Sequence, residues 1–179
     1  MKNKILKIGL IAATTLSLYG CGSSSDTKVI ESDAISNAQV GSTESTAAGY
    51  VFNYDGMDIA VDSDVAPIIE KLGEANNYFE SPSCAAEGIG KLYTYNDFEI
   101  QTYPDGNVDR ILYVLFKTDN VATAEGIDLS SSKDDIIEAY GQPTEEVTGS
   151  MKYEKDDMIL AFIFDGDSLI SIEYDSSLN

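Results

Sequence analysis

The sequence predicts an α+β fold: two tandem repeats, each a short helix packed on one face of an antiparallel sheet. Three observations carry that expectation. Ile68-Ile69-Glu70-Lys71-Leu72-Gly73 aligns with Ile136-Ile137-Glu138-Ala139-Tyr140-Gly141. Gly56-Met57-Asp58-Ile59 lies upstream of the first copy, and Gly126-Ile127-Asp128-Leu129 upstream of the second. Downstream, Tyr93-Thr94-Tyr95 matches Met151-Lys152-Tyr153, and Asp105-Gly106 matches Asp165-Gly166, each ahead of an apolar strand. The first copy has two extra residues between its upstream segment and its helix, and such internal self-similarity is the mark of a repeated supersecondary unit.

The elements follow in chain order. Tyr50 to Tyr54 and Met57 to Val61 flank Asp55-Gly56 and read as a hairpin, because Asp-Gly suits a turn with positive φ. A first helix places Val65, Ile68, Ile69 and Leu72 on one stripe, with Ser63 or Asp62 as the cap, Pro67 near its first turn and Gly73 at its end. Strands are expected at Leu92 to Tyr95, Phe98 to Tyr103 and Ile111 to Phe116, all rich in aromatic and β-branched residues. Asn96-Asp97 and Asp105-Gly106 supply the turns between them.

A second helix has Ser132 as N-cap, and Asp134 and Asp135 lie where the macrodipole favours anions. Its stripe is Ile136, Ile137 and Tyr140, Gly141 suits a left-handed end, and Pro143 forbids continuation. Strands at Ile159 to Phe164 and Leu169 to Tyr174 close the second unit. The expected order is hairpin, helix, three strands, helix, three strands. The repeats are set at residues 50–120 and 121–179.

The N-terminus reads as an export leader over residues 1–20. Lys2, Lys4 and Lys7 precede an uncharged stretch from Ile8 to Leu18 and a small-residue end. The apolar run is about half the ~20 residues that a spanning helix needs. Leu18-Tyr19-Gly20-Cys21 resembles the lipobox of bacterial lipoproteins, although Tyr19 is bulkier than usual for its place. The resemblance implies that the Cys21 thiol is acylated and becomes the new N-terminus. Two or three acyl chains then hold the protein in a bilayer, at ~0.8 kcal/mol per buried CH₂. Residues 21–49 read as the lipidated cysteine and a Ser/Thr-rich tether, too poor in apolar side chains to offset chain entropy. The expected address is the cell membrane, lipid-anchored, facing the extracellular or periplasmic side.

Charge removes several functions. Taking the three leader lysines from 11 Lys+Arg leaves 8 against 31 Asp+Glu, a net charge of −23. Such a surface repels nucleic acid and anionic headgroups. The chain contains 0 His. Ser-His-Asp and Cys-His catalysis and the commonest zinc ligand are therefore missing. Cys84 is the one thiol left once Cys21 is used, so no intramolecular disulfide forms. We read it as buried and inert, because an activated thiolate needs a cationic neighbour and Lys91 is the nearest in sequence. A nucleophilic or interchain role stays open.

No catalytic residue, metal site or cofactor is assigned. Asp134-Asp135, Asp156-Asp157 and Glu145-Glu146 read as helix-start or turn residues, since adjacent side chains diverge on a regular element. Asp105-Gly106-Asn107-Val108-Asp109 lacks the ligand order of an EF-hand loop and reads as a hairpin turn. Gly88-Ile89-Gly90 precedes a strand and not a helix, so it is no phosphate cradle. Tyrosine is the enriched recognition-type side chain. Tyr93, Tyr95 and Tyr103 are the candidate binding face, on the expectation that a helix covers one sheet face and leaves the other open. Core or cross-strand packing is the competing reading of the same rings.

The stretch from Gly126 to Pro143 is similar to the opening of BamE/SmpA-like and β-lactamase-inhibitory-protein-like domains, with Ser130 where that pattern often has Gly. The whole chain also resembles acidic surface lipoproteins of Gram-positive gut anaerobes. The resemblance implies tandem helix-on-sheet units over about Tyr50 to Tyr174. The inhibitory family's contact residues map onto no motif here, so none is carried over. The expected function is a non-enzymatic binding or inhibitory module, with an envelope or secreted protein as partner. The alternatives are a structural or assembly lipoprotein of the envelope, and an enzyme using carboxylates or Cys84.

Overall fold

The computed structural model describes residues 49–179. The leader, the lipidation site Cys21 and the tether up to residue 48 lie outside the described residues.

Ten strands and two short helices follow one another in this span. A hairpin, β1 (Phe52–Tyr54) and β2 (Met57–Ile59), comes first, then α1 (Ala66–Leu72). The chain continues as β3 (Asn77–Pro82), β4 (Ile89–Thr94), β5 (Phe98–Asp105) and β6 (Val108–Phe116). Then come α2 (Lys133–Tyr140), β7 (Glu145–Val147), β8 (Ser150–Lys155), β9 (Met158–Asp165) and β10 (Ser168–Ser176).

The expected α+β fold of two helix-on-sheet repeats is not what forms. Strands hold 47% of the described residues and helices 11%, so the domain is mostly β. A helix followed by a four-strand meander does occur twice, but the meanders do not close as separate bodies. They join through β6 and β10, where Leu115, Val114 and Tyr113 pair with Glu173, Tyr174 and Asp175. The result is one antiparallel sheet of eight strands in the order β3-β4-β5-β6-β10-β9-β8-β7, beside the two-stranded β1-β2 hairpin. The physical reason lies in the helices. Each is about two turns long, and each buries one side chain, Ile68 in α1 and Ile136 in α2. That is too little apolar surface to close a core of its own, so both helices and the hairpin share one.

The shared core lies on a single face of the sheet. Phe52, Met57 and Ile59 of the hairpin, Val65 and Ile68 near α1, and Ile136 of α2 cluster with Phe98, Ile100, Val114, Phe116, Leu160, Phe162, Ile172 and Tyr174 of the strands. Successive residues of a strand alternate between faces, so register assigns every side chain. One cross-strand row reads Tyr78, Tyr93, Ile100, Val114, Tyr174, Leu160, Tyr153, and it belongs to the covered face. The next reads Phe79, Leu92, Gln101, Tyr113, Asp175, Ile159, Glu154, and it faces away from the helices.

Local chemistry matches much of the sequence reading. Asp55 and Gly56 both take positive φ, 48° and 70°, as a two-residue turn between β1 and β2 requires. Gly106 and Gly166, φ 64° and 62°, open the turns of β5–β6 and β9–β10. The Asp105–Asp109 stretch is thus a hairpin, and Asp156 turns β8 into β9 with φ 54°. Ser132 caps α2 in a reciprocal box with Asp135, whose carboxylate accepts the Ser132 N–H at 2.8 Å. That engagement lowers the Asp135 pKa. At α1 the expected cap moves. Val65 occupies the N-cap position without a side-chain bond, and Asp64 accepts the Ala66 N–H at 2.9 Å.

Each meander has four strands, one more than expected. The additions, β3 and β7, are the outer edges of the sheet, and nearly all of their residues are exposed. Pro82 and Glu145-Glu146 are side chains that discourage further pairing at an edge.

Candidate functional site

The uncovered face is the candidate site, and β5, β6 and β10 form its middle. Outward positions on these strands are Glu99 and Gln101, Tyr113 and Leu115, and Ser171, Glu173 and Asp175. β9 continues the face with Ile159, Ala161 and Ile163, and β4 with Leu92 and Thr94. At the β3 edge, Phe79 lies in the same row and is 59% exposed. None of these side chains belongs to the core cluster, and of them Ala161 is buried. Among the described residues, no helix or strand packs over them; the C-terminal turn touches one border, where Asn179 Nδ2 donates to Asp175 at 2.7 Å.

Charge on this face is unevenly compensated. Lys117 pairs with Glu99 at 3.4 Å and Lys152 with Glu145 at 3.3 Å. Glu173 and Asp175 have no ion pair among the described residues; Glu173 accepts the Ser171 hydroxyl at 2.8 Å. Burial pushes the Asp175 carboxyl up to about 6; the Asn179 bond and Lys152 pull it down, and Glu173 adds to the rise. Burial likewise raises Tyr113, assisted by Glu99, Glu173 and Asp175. The arrangement offers apolar contact around a partly desolvated carboxylate pair. Among the described residues, no three His, Cys, Asp or Glu side chains converge as metal ligands.

The three tyrosines singled out from sequence do not share this face. Tyr93 and Tyr95 lie on the covered side, half-buried against the core. The Tyr93 ring lies tilted against Tyr78, centroids 5.1 Å apart, and Tyr95 sits 5.3 Å from Phe98 while its hydroxyl donates to the Gly73 carbonyl. Tyr103 is 7% exposed, and its hydroxyl donates to Asp62 at 2.8 Å. Burial and that bond raise it to about 12. The rings therefore serve packing, and they form no contiguous exposed patch. Tyr113, a residue of the same type, is the one that faces outward.

Cys84 is exposed in the β3–β4 loop, contrary to the expected burial. Nothing in that short loop places a large apolar neighbour over it. Lys91 gives its ammonium to Asp109 at 2.5 Å.

Glu173 and Asp175 were legible in principle. Leu169-Ile170-Ser171-Ile172-Glu173-Tyr174-Asp175 alternates polar and apolar from Ser171 onward, which puts both carboxylates on one face. Tyr113 was not, because Ile111-Leu112-Tyr113-Val114-Leu115-Phe116 is apolar throughout, and a bulge at Leu112 shifts its parity.

Compared with known proteins, the chain matches no family model, no curated protein and no solved structure.

Proposed function

We propose that this chain is an exported lipoprotein, anchored to a membrane through acylated Cys21, whose β domain is a non-enzymatic binding module acting through its uncovered sheet face. The observation that carries the reading is the pair of cross-strand rows on that face. They place Phe79, Leu92, Tyr113, Leu115 and Ile159 outward from four different strands, with helices and hairpin packed on the other side. Apolar side chains interleaved with fixed polar groups on one face are how protein interfaces are built. The lipobox-like Leu18-Tyr19-Gly20-Cys21 supports the anchor, and the net charge argues for a protein or peptide partner over nucleic acid.

The test is capture from cell-envelope and secreted fractions by the full-length chain. Leu92→Ser with Tyr113→Ser should abolish capture and leave the circular dichroism spectrum unchanged. Retained capture by that double variant would rule out the face.

A further inference from the structure

We propose that the uncovered face recognises a protein that presents a basic side chain, arginine above all, standing out of an apolar patch. This rests on the reading that the uncovered face is the binding face.

Internal pairing leaves two carboxylates of this face without a salt-bridge partner among the described residues. The two lysines on the face, Lys117 and Lys152, are engaged by Glu99 and Glu145 at 3.4 and 3.3 Å. Glu173 and Asp175 are left on β10, a central strand, where retreat to open solvent is limited. They are two residues apart on one face, about 7 Å along the strand. One guanidinium, with its fork of donors, can serve both carboxylates, or two cations can serve one each.

The surroundings of the pair are apolar. Tyr113 of β6 flanks Asp175 on one side and Ile159 of β9 on the other; Leu115 and Ala161 flank Glu173 in the same way. A partner laid on this surface displaces water from both carboxylates. A neutral or acidic partner would leave them buried without a counter-charge, which is costly, and would be rejected. A basic side chain supplies the missing charge, while the apolar cross-strand neighbours on both sides need an apolar collar around it. That requirement favours a folded or cyclic polypeptide over a free polycation.

Proton linkage points the same way. The charged and titratable groups facing Asp175 are Glu173 on its own strand, Tyr113 of β6 and Lys152 of β8, with the Asn179 amide at the border. Burial and Glu173 hold the carboxyl at about 6. A cationic partner would pull that value down on binding, so affinity should fall as pH drops below about 6.

The experiment is selection of disulfide-cyclised random peptides, displayed on phage, against the full-length chain at neutral pH and low salt. The expected result is enrichment of sequences with Arg or Lys flanked by apolar residues. Their affinity should drop at least about tenfold on E173Q/D175N, and as much on raising the salt. Enriched peptides without a cationic residue that are nevertheless lost on Leu92→Ser/Tyr113→Ser would overturn the partner class and leave the binding face standing. Peptides indifferent to both double variants, or no enrichment, would overturn the face itself. Displacement of the peptides by spermine at equal affinity would replace the protein partner with a small polycation and overturn the proposal.

Discussion

The two faces of the eight-stranded sheet are made from alternate residues of the same strands, yet they live under different rules. On the covered face, Phe98, Ile100, Val114, Phe116, Leu160, Phe162 and Ile172 are each at most 1% exposed, and aromatic rings interlock across hairpin and sheet. One residue along each strand, the uncovered face carries carboxylates, amides and apolar side chains together, and its charges decide its chemistry. The difference teaches that two short helices and one hairpin suffice to cover one side of the sheet. The opposite side is left with more apolar surface than a purely solvated face requires.

The largest expected effect comes from emptying the covered face. Phe162→Ala should cost about 3–5 kcal/mol, because a fully buried ring leaves a cavity that the sheet cannot close. Ile163→Ala, its outward neighbour, should cost only about 1 kcal/mol. Urea unfolding of both variants measures the ratio, and equal losses would break the comparison.

Next comes a substitution that should stabilise. Burial pushes the Asp175 carboxyl up to about 6 in the fold, from an ordinary 3.8. The folded state therefore binds more protons than the unfolded state between those values, and stability falls as pH rises through that window. The ionised carboxylate is a liability at neutral pH. Asp175→Asn should raise stability by about 1–2 kcal/mol at pH 7, discounted for its partial exposure, and by nearly nothing at pH 4. Thermal melts at the two pH values check the sign.

A smaller effect belongs to the elements that do the covering. Ser132→Ala removes the cap of α2 and should cost about 1 kcal/mol, read by the same unfolding titration. The smallest belongs to the bulge on β10, where Ile170 is 54% exposed and stands outside the paired register. Ile170→Ser should move stability by no more than about 0.5 kcal/mol.

How much of this was readable from sequence depended on whether the signal was local. The α2 box of Ser132 and Asp135, the Asp55-Gly56 turn and the glycines 106 and 166 are short-range features, and they stand where composition put them. Strands β5, β6, β9 and β10 were marked by dense apolar content. Edge strands β3 and β7 were not, because a strand exposed along its length has no alternation to show. The junction of β6 with β10 was out of reach for another reason. An apolar strand such as Ile111–Phe116 can pair with any partner of similar pattern, and hydrogen bonding between distant segments leaves no local trace. Reading the repeat as two closed units followed from that gap. The same gap hid the uncovered face, since Tyr93 and Tyr95 looked equivalent to Tyr113 until register and bulges set their directions.

The β6–β10 junction is where one sheet with two unlike faces is made or lost, and nuclear Overhauser contacts test it directly. Backbone contacts should connect Val114 with Tyr174 and Tyr113 with Asp175. The Tyr174 ring should contact Phe116 and Phe52, 5.8 and 6.2 Å away, while the Tyr113 ring contacts neither. Absence of β6–β10 contacts, with the two meanders exchanging their amides independently, would contradict the single sheet and the face built on it.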